Sequence, residues 1–200
     1  VERRLAKMQE ESAPAVIKTA RVVKGELVRL GVLVEDFLAF ARPNRLRLAS
    51  GDLEVTAETI IALMKPDAHQ CGVELRFERG QGVAARYDEE RIRQVLLNLI
   101  RNGVEAAGEG GWVDVQVLRA RNRAIIEIRD SGEGPPQGLD LFQPFRTSKE
   151  SGTGLGLSIV HRIVTDHDGK IEHFRDGHQT CFRVEVPVDG PVSDREPARA

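Results

Sequence analysis

The chain reads as an α/β (α+β) two-layer sandwich, a mixed sheet packed under helices and preceded by a long coiled-coil-like helix. Three observations predict this. Residues 113–118 and 124–129 alternate at period two, as strands with one buried face do, and 170–175 and 180–187 read as a hairpin that closes the same sheet. Segments 52–68, 88–107 and 155–166 carry apolar residues at helical spacing. Val16, Ala20, Val23, Leu27, Leu30, Val34, Phe37 and Ala41 recur at alternating intervals of four and three, the period of a coiled-coil or bundle seam.

The elements follow in order. Pro14 suits a first helical turn, and Arg42-Pro43 ends the heptad helix because the residue before proline disfavours helical backbone. The same stripe would also serve a helix packed on its own domain. A short strand is expected at 46–49, then a helix over 52–68 with Asp52 or Thr56 near its start. Residues 73–78 alternate as a strand, and 83–86 offer another. The helix 88–107 is capped by Asp88 and stopped by Gly108. The strands 113–118 and 124–129 turn near Arg121-Asn122. A glycine-rich loop spans 131–151 and leads into the helix 155–166. The strands 170–175 and 180–187 form a hairpin around Asp176-Gly177. Residues 189–200, rich in proline and charge, read as a disordered tail. Three segments result: 1–43, 44–188 and 189–200.

Bulk properties narrow the function classes. The net charge of −2 makes no electrostatic case for nucleic acid or an anionic membrane. Cys71 and Cys181 have no metal-ligand partners at useful spacing, and two thiols fit a reducing, cytoplasmic setting. No apolar run reaches the length of a membrane span, and no signal peptide is visible.

Three motifs carry chemistry. Gly152-Thr-Gly154-Leu-Gly156-Leu157 places three glycines at the start of an apolar helix, where backbone N–H groups and the helix dipole favour an anion such as phosphate. Close packing or a turn would use the same glycines. Asp130-Ser-Gly132-Glu-Gly134 leaves the strand 124–129, either as simple turn chemistry or to accept a hydrogen bond from an exocyclic amine such as that of adenine. Asn98 and Asn102 share one helix face beside the apolar residues Val95, Leu96, Leu99 and Ile100. They are either solvated at the stripe's edge or partnered by a hydrated Mg²⁺–nucleotide, since Mg²⁺ takes oxygen ligands.

In this order and spacing the blocks resemble the ATP-binding domain of sensor histidine kinases, within the wider superfamily of gyrase, mismatch-repair and heat-shock chaperone ATPases. The resemblance covers roughly residues 45–188. Asn98–Asn102 look like the N box, 130–134 the G1 box, 142–145 the F box and 152–156 the G2 box. The Phe142-Gln-Pro-Phe145-Arg-Thr-Ser-Lys149 run leading into the glycines is similar to the short-lid, nitrogen-regulation type. The resemblance implies ATP and Mg²⁺ as cofactors. Asn102 would ligate Mg²⁺, Asp130 would read the adenine amino group, and Gly132 and Gly134 would shape its pocket. Gly152, Thr153, Gly154, Leu155 and Gly156 would cover the phosphates, with Thr147, Ser148 and Leu157 in the ATP-binding set. Phe142 and Phe145 would anchor the lid, and Arg146 or Lys149 would reach the γ-phosphate, Lys149 in a catalytic role. Asn98 would be catalytic in a negative sense. Related ATPases place a Glu there to activate water, and an amide cannot act as that base.

Leu33 to Pro43 looks like the end of the second helix of the kinase dimerisation hairpin, which implies a homodimer through helix 14–42 and a response-regulator receiver domain as partner. The family's first hairpin helix carries a phosphoacceptor His. Here the five histidines are His69, His161, His167, His173 and His178, and none has that context. His167, in Asp-His-Asp-Gly-Lys, reads as structural. The start at Val1 suggests a fragment cut inside the hairpin, with 1–12 the tail of the first helix and 11–13 the turn. The expected function is therefore a cytoplasmic sensor histidine kinase fragment, without membrane contact, that transfers the ATP γ-phosphoryl to a His outside this chain and alone cannot autophosphorylate. The alternatives are a non-catalytic dimerising or regulator-docking module and an ATP-hydrolysing relative.

Overall fold

A computed structural model describes residues 46–135, 138, 140–145 and 154–191, together with 16, 17, 19, 20, 23, 27 and 31. The chain divides into two compact units, Val1–Arg42 and Pro43–Ala200. In the first, the described residues Val16, Ile17, Thr19, Ala20, Val23, Leu27 and Gly31 are helical and exposed. The rest of the heptad helix, the expected turn at 11–13 and the tail beyond 191 lie outside the described residues.

The second unit carries seven strands and three helices among its described residues: β1 Ala49–Asp52, α1 Leu53–Gln70, β2 Glu74–Phe77, β3 Ala84–Tyr87, α2 Glu89–Ala107, β4 Trp112–Ala120, β5 Arg123–Asp130, α3 Gly156–Asp166, β6 Lys170–Asp176 and β7 Gln179–Pro187. The main sheet has the order β2-β4-β5-β7-β6 and is mixed, with only β2 and β4 parallel. Its period-two strands put Val113, Val115, Ala124, Ile126, Ile128, Val184 and Val186 under the helices, where they are buried. Helix α2 packs on α1, α3, β4 and β5, burying Ile92, Val95, Leu96, Leu99 and Ile100.

The opposite sheet face is polar, as expected of a sheet covered on one side. There Glu127, 2% exposed, accepts from Arg129 Nη2 at 2.7 Å and Arg183 Nε at 2.7 Å. Burial works to raise the Glu127 pKa, but the two guanidinium groups outweigh it and hold the carboxyl below its usual range.

The expected strand at 46–49 forms instead at Ala49–Asp52. Its place is decided by pairing with β3, not by the local Leu46–Leu48 alternation. Gly51 admits the Tyr87 ring, whose hydroxyl would lie 2.9 Å from a Cβ at that position. Asp52, not Thr56, caps α1. Its Oδ1 accepts from the N–H groups of Glu54 (2.9 Å) and Val83 (3.0 Å), while Thr56 pairs with the Tyr87 hydroxyl at 2.7 Å. Asp88 and Gly108 cap α2 as expected.

Past β7 the described residues run on to 191. The Val188 carbonyl accepts from Arg86 N–H at 2.8 Å, and Gly190 and Pro191 are buried.

Candidate functional site

The site lies where the last strand residue of β5, the middle and end of α2, and the start of α3 meet. Asp130 ends β5 on its helix-covered face and is 2% exposed. Its Oδ1 accepts from Gly132 N–H at 2.9 Å, so the turn folds back on the carboxylate. That turn presses against α2. A Cβ on Gly132 would lie 2.5 Å from the Ala106 carbonyl oxygen, and one on Gly103 would meet Val113 Cγ2 at 3.2 Å and Asp130 Cβ at 3.6 Å. No side chain fits between turn and helix, which is the physical reason for glycine at 132.

Asn98 and Asn102 lie on α2, both half-buried. Asn98 Nδ2 donates to the Gly156 carbonyl at 3.4 Å, a long bond joining the Asn-bearing helix to the first residue of α3. Gly154 is left-handed at φ 68°, and its carbonyl accepts from Phe145 N–H at 3.0 Å. The glycine-rich segment and the Phe142-Gln-Pro-Phe145 segment therefore touch through the backbone.

The two phenylalanines behave differently. Phe142 is half-buried, its ring 5.4 Å from His161 and 6.4 Å from His173, which stacks in turn on Phe182. Phe145, at φ 63°, is 69% exposed and contributes its backbone. Leu155 and Ser158 are buried at the start of α3, with Ser158 Oγ donating to the Leu155 carbonyl at 2.8 Å, and Leu157 is half-buried. Arg146, Thr147, Ser148, Lys149, Gly152 and Thr153 lie outside the described residues.

Two residues at the site carried no sequence signal. Thr180 looks like an ordinary alternating strand residue, and Arg175 like a solvated charge near a hairpin. Both reach the glycine-rich turn: Arg175 Nη1 donates to the Gly132 carbonyl at 2.7 Å and to Thr180 Oγ1 at 2.8 Å. Only the pairing of β6, β7 and β5 brings them there.

The donor set suits a nucleotide with a metal. Asn98 and Asn102 offer amide oxygens, and among the described residues no three His, Cys, Asp or Glu side chains converge. A Mg²⁺ ion here would take most of its ligands from phosphate and water, as Mg²⁺ commonly does.

A helix-covered mixed sheet with a buried strand-end Asp, a glycine turn against an Asn-bearing helix and a second glycine-led helix defines a nucleotide-binding class of α/β sandwich. The family described as histidine kinase-, DNA gyrase B-, and HSP90-like ATPase matches residues 87–190, and the chain belongs to it. Its relatives place it among the ATP-binding domains of sensor histidine kinases.

Sensor histidine kinase ZraS of Escherichia coli (strain K12) is 34% identical over 192 residues, 92% of this chain and 41% of that kinase. Sporulation kinase C of Bacillus subtilis (strain 168) is 30% identical over 172 residues, 84% of this chain and 40% of that protein. The chain thus spans about two-fifths of the length of these relatives. Among solved structures, the catalytic domain of histidine kinase ThkA superposes with TM-score 0.68 at 29% identity, covering 72% of this chain and 97% of that one. Full-length ShkA in complex with AMPPNP gives TM-score 0.74 at 30% identity, over 86% of this chain and 38% of that one. ThkA in complex with the response regulator TrrA gives TM-score 0.74 at 27% identity, over 86% and 51%.

Proposed function

We propose that this chain is the ATP-binding and dimerisation part of a cytoplasmic sensor histidine kinase, which binds Mg·ATP and transfers the γ-phosphoryl to a His nitrogen for relay to a response-regulator receiver domain. The observation that carries the reading is the buried Asp130 carboxylate, held by its own glycine turn against the Asn-bearing helix. The AMPPNP complex of ShkA and the regulator complex of ThkA support the same reading by analogy.

Asp130 accepts a hydrogen bond from the adenine amino group, and Gly132 and Gly134, which let the turn pack closely on its neighbours, shape the pocket for the base. Asn102 is the protein's ligand to Mg²⁺, which when bound supplies charge neutralisation across the phosphates. Gly152, Thr153, Gly154, Leu155 and Gly156 cover the phosphates ahead of α3, where a helix start and its dipole favour anions. Thr147, Ser148 and Leu157 line the same pocket, Phe142 and Phe145 anchor the lid, and Arg146 or Lys149 approaches the γ-phosphate. Asn98, lacking a basic atom, promotes no attack by water, so the phosphoryl group waits for a better nucleophile. Homodimerisation falls to helix 14–42. The chain has no histidine in phosphoacceptor context, so it does not phosphorylate itself and needs a His-bearing helix supplied in trans.

Calorimetric titration of the chain with ATP, with and without Mg²⁺, tests the reading. Saturable binding strengthened by Mg²⁺ is expected, with phosphate transferred to an added His-bearing hairpin and little steady-state hydrolysis. Absence of binding at millimolar ATP would leave a dimerising or docking module instead.

A further inference from the structure

Asp130 and Thr180 are register partners across β5 and β7, and Thr180 is the register partner of Arg175 across β7 and β6. Asp130 and Thr180 are each 2% exposed. Arg175 Nη1 donates to Thr180 Oγ1 at 2.8 Å and to the Gly132 carbonyl at 2.7 Å. Gly132 is thus held on both sides, by Asp130 through its N–H and by Arg175 through its carbonyl. The turn passes directly over the pair: at φ 80°, Gly134 would set a Cβ 2.8 Å from Thr180 Oγ1 and 3.0 Å from Arg175 Nη1.

The polarity of this arrangement is fixed by chemistry. A guanidinium has donors and no acceptor, whereas a threonine hydroxyl has one proton to give and two lone pairs. Thr180 Oγ1 is therefore the acceptor of the Arg175 bond, and its proton points elsewhere. Asp130 and Thr180 then present, from neighbouring strands, an acceptor beside a donor. That pair matches a base edge with an amino donor beside a ring-nitrogen acceptor, which is adenine's. Guanine offers a carbonyl oxygen where adenine has its amino group, and an N–H beside it.

Resting on the nucleotide-binding reading above, we propose that Arg175 is a positioning residue that sets the base selectivity of the site by holding the Thr180 hydroxyl as a donor. Without Arg175 the hydroxyl is free to rotate and to accept as well as donate, and part of the penalty against guanine disappears. Sites that read a base by matched polar groups reject the mismatched partner strongly, because a buried group is then left unpaired.

The test uses calorimetric titration of the whole chain with ATP and with GTP, for the parent and for Arg175→Met, Arg175→Lys and Thr180→Val, with thermal midpoints measured alongside. Arg175 lies on the edge strand of the sheet and its residue is exposed, so the substitutions are compatible with folding. Arg175→Met is expected to reduce the ATP-over-GTP preference at least about fivefold, the scale of one net hydrogen bond. Arg175→Lys, still a pure donor, retains most of the preference. Thr180→Val lowers it as Arg175→Met does, and the double variant adds no further loss. An unchanged ATP:GTP ratio in Arg175→Met, or equal weakening of both nucleotides, overturns the inference and leaves ATP binding standing. A parent chain that binds neither nucleotide overturns the nucleotide-binding reading and this inference with it.

Discussion

At Asp130 a single carboxylate closes its own turn and, in the function proposed above, reads the base. It closes its own turn through Gly132 N–H and sits 2% exposed beside α2. Replacing it with Asn keeps the shape but exchanges one acceptor oxygen for a donor, so Asp130→Asn is expected to weaken ATP binding about tenfold or more with or without Mg²⁺. Asn102→Ala, by contrast, is expected to remove mainly the Mg²⁺-dependent increment. Paired titrations with and without the metal separate the two, and equal, negligible effects would sink the assignment of both residues. A second residue, His167, carries a pH prediction. It is 1% exposed, its Nδ1–H donating to the Ile163 carbonyl at 2.7 Å and its Nε2 accepting from Asp88 N–H at 3.1 Å. An imidazolium would point a second N–H at the Asp88 N–H, and burial pushes the His167 pKa below its ordinary value. The unfolded chain therefore binds this proton more readily. Stability is complete above about pH 6.5, the unfolded value, and is lost as pH falls from there through the folded pKa. The urea midpoint is expected to drop between about pH 7.5 and 5.5, and His167→Gln, which offers the same donor and acceptor without titrating, to flatten that drop. The Glu127 carboxyl titrates below this window and does not confuse it.

At the scale of elements, α2 is the piece on which the site depends, because it carries both asparagines and supports the Asp130 turn. Its start is a junction. Asp88 Oδ1 caps Arg91 N–H at 3.2 Å, its Oδ2 accepts from Arg47 N–H at 2.7 Å, and its own N–H meets His167 at the end of α3. Asp88→Ala should therefore cost more than a lone cap, about 2 kcal/mol by urea denaturation, with Asp88→Asn costing less because it keeps an acceptor. The extent of α2 was legible almost to the residue, since a capping Asp, a strong apolar stripe and a stopping Gly all agree. The place of β1 was not. Short strands take their register from a partner, and β3 pairs with 49–52 rather than with the more apolar residues before them.

For the whole molecule, the first unit sets the expected assembly. Val16, Val23 and Leu27 are helical and more than half exposed on the chain by itself, and they fall on the heptad seam. Leu27→Glu is expected to convert a dimer to a monomer in sedimentation equilibrium and to leave ATP binding by the second unit intact. A parent chain that sediments as a monomer would remove the dimer from the proposal.

The sequence by itself determined the class of sandwich, the order of its elements and the glycine, asparagine and aspartate motifs. Those rest on local periodicity, caps and turn chemistry, all written within a few residues of one another. Only the tertiary structure decided that Arg175 and Thr180 belong beside Asp130, that Asn98 meets Gly156, and that His167 ties the end of α3 to the start of α2. Apart from the Arg175–Thr180 bond inside one hairpin, these contacts join residues tens of positions apart. They arise from strand order and helix packing, which no stretch of neighbouring residues contains.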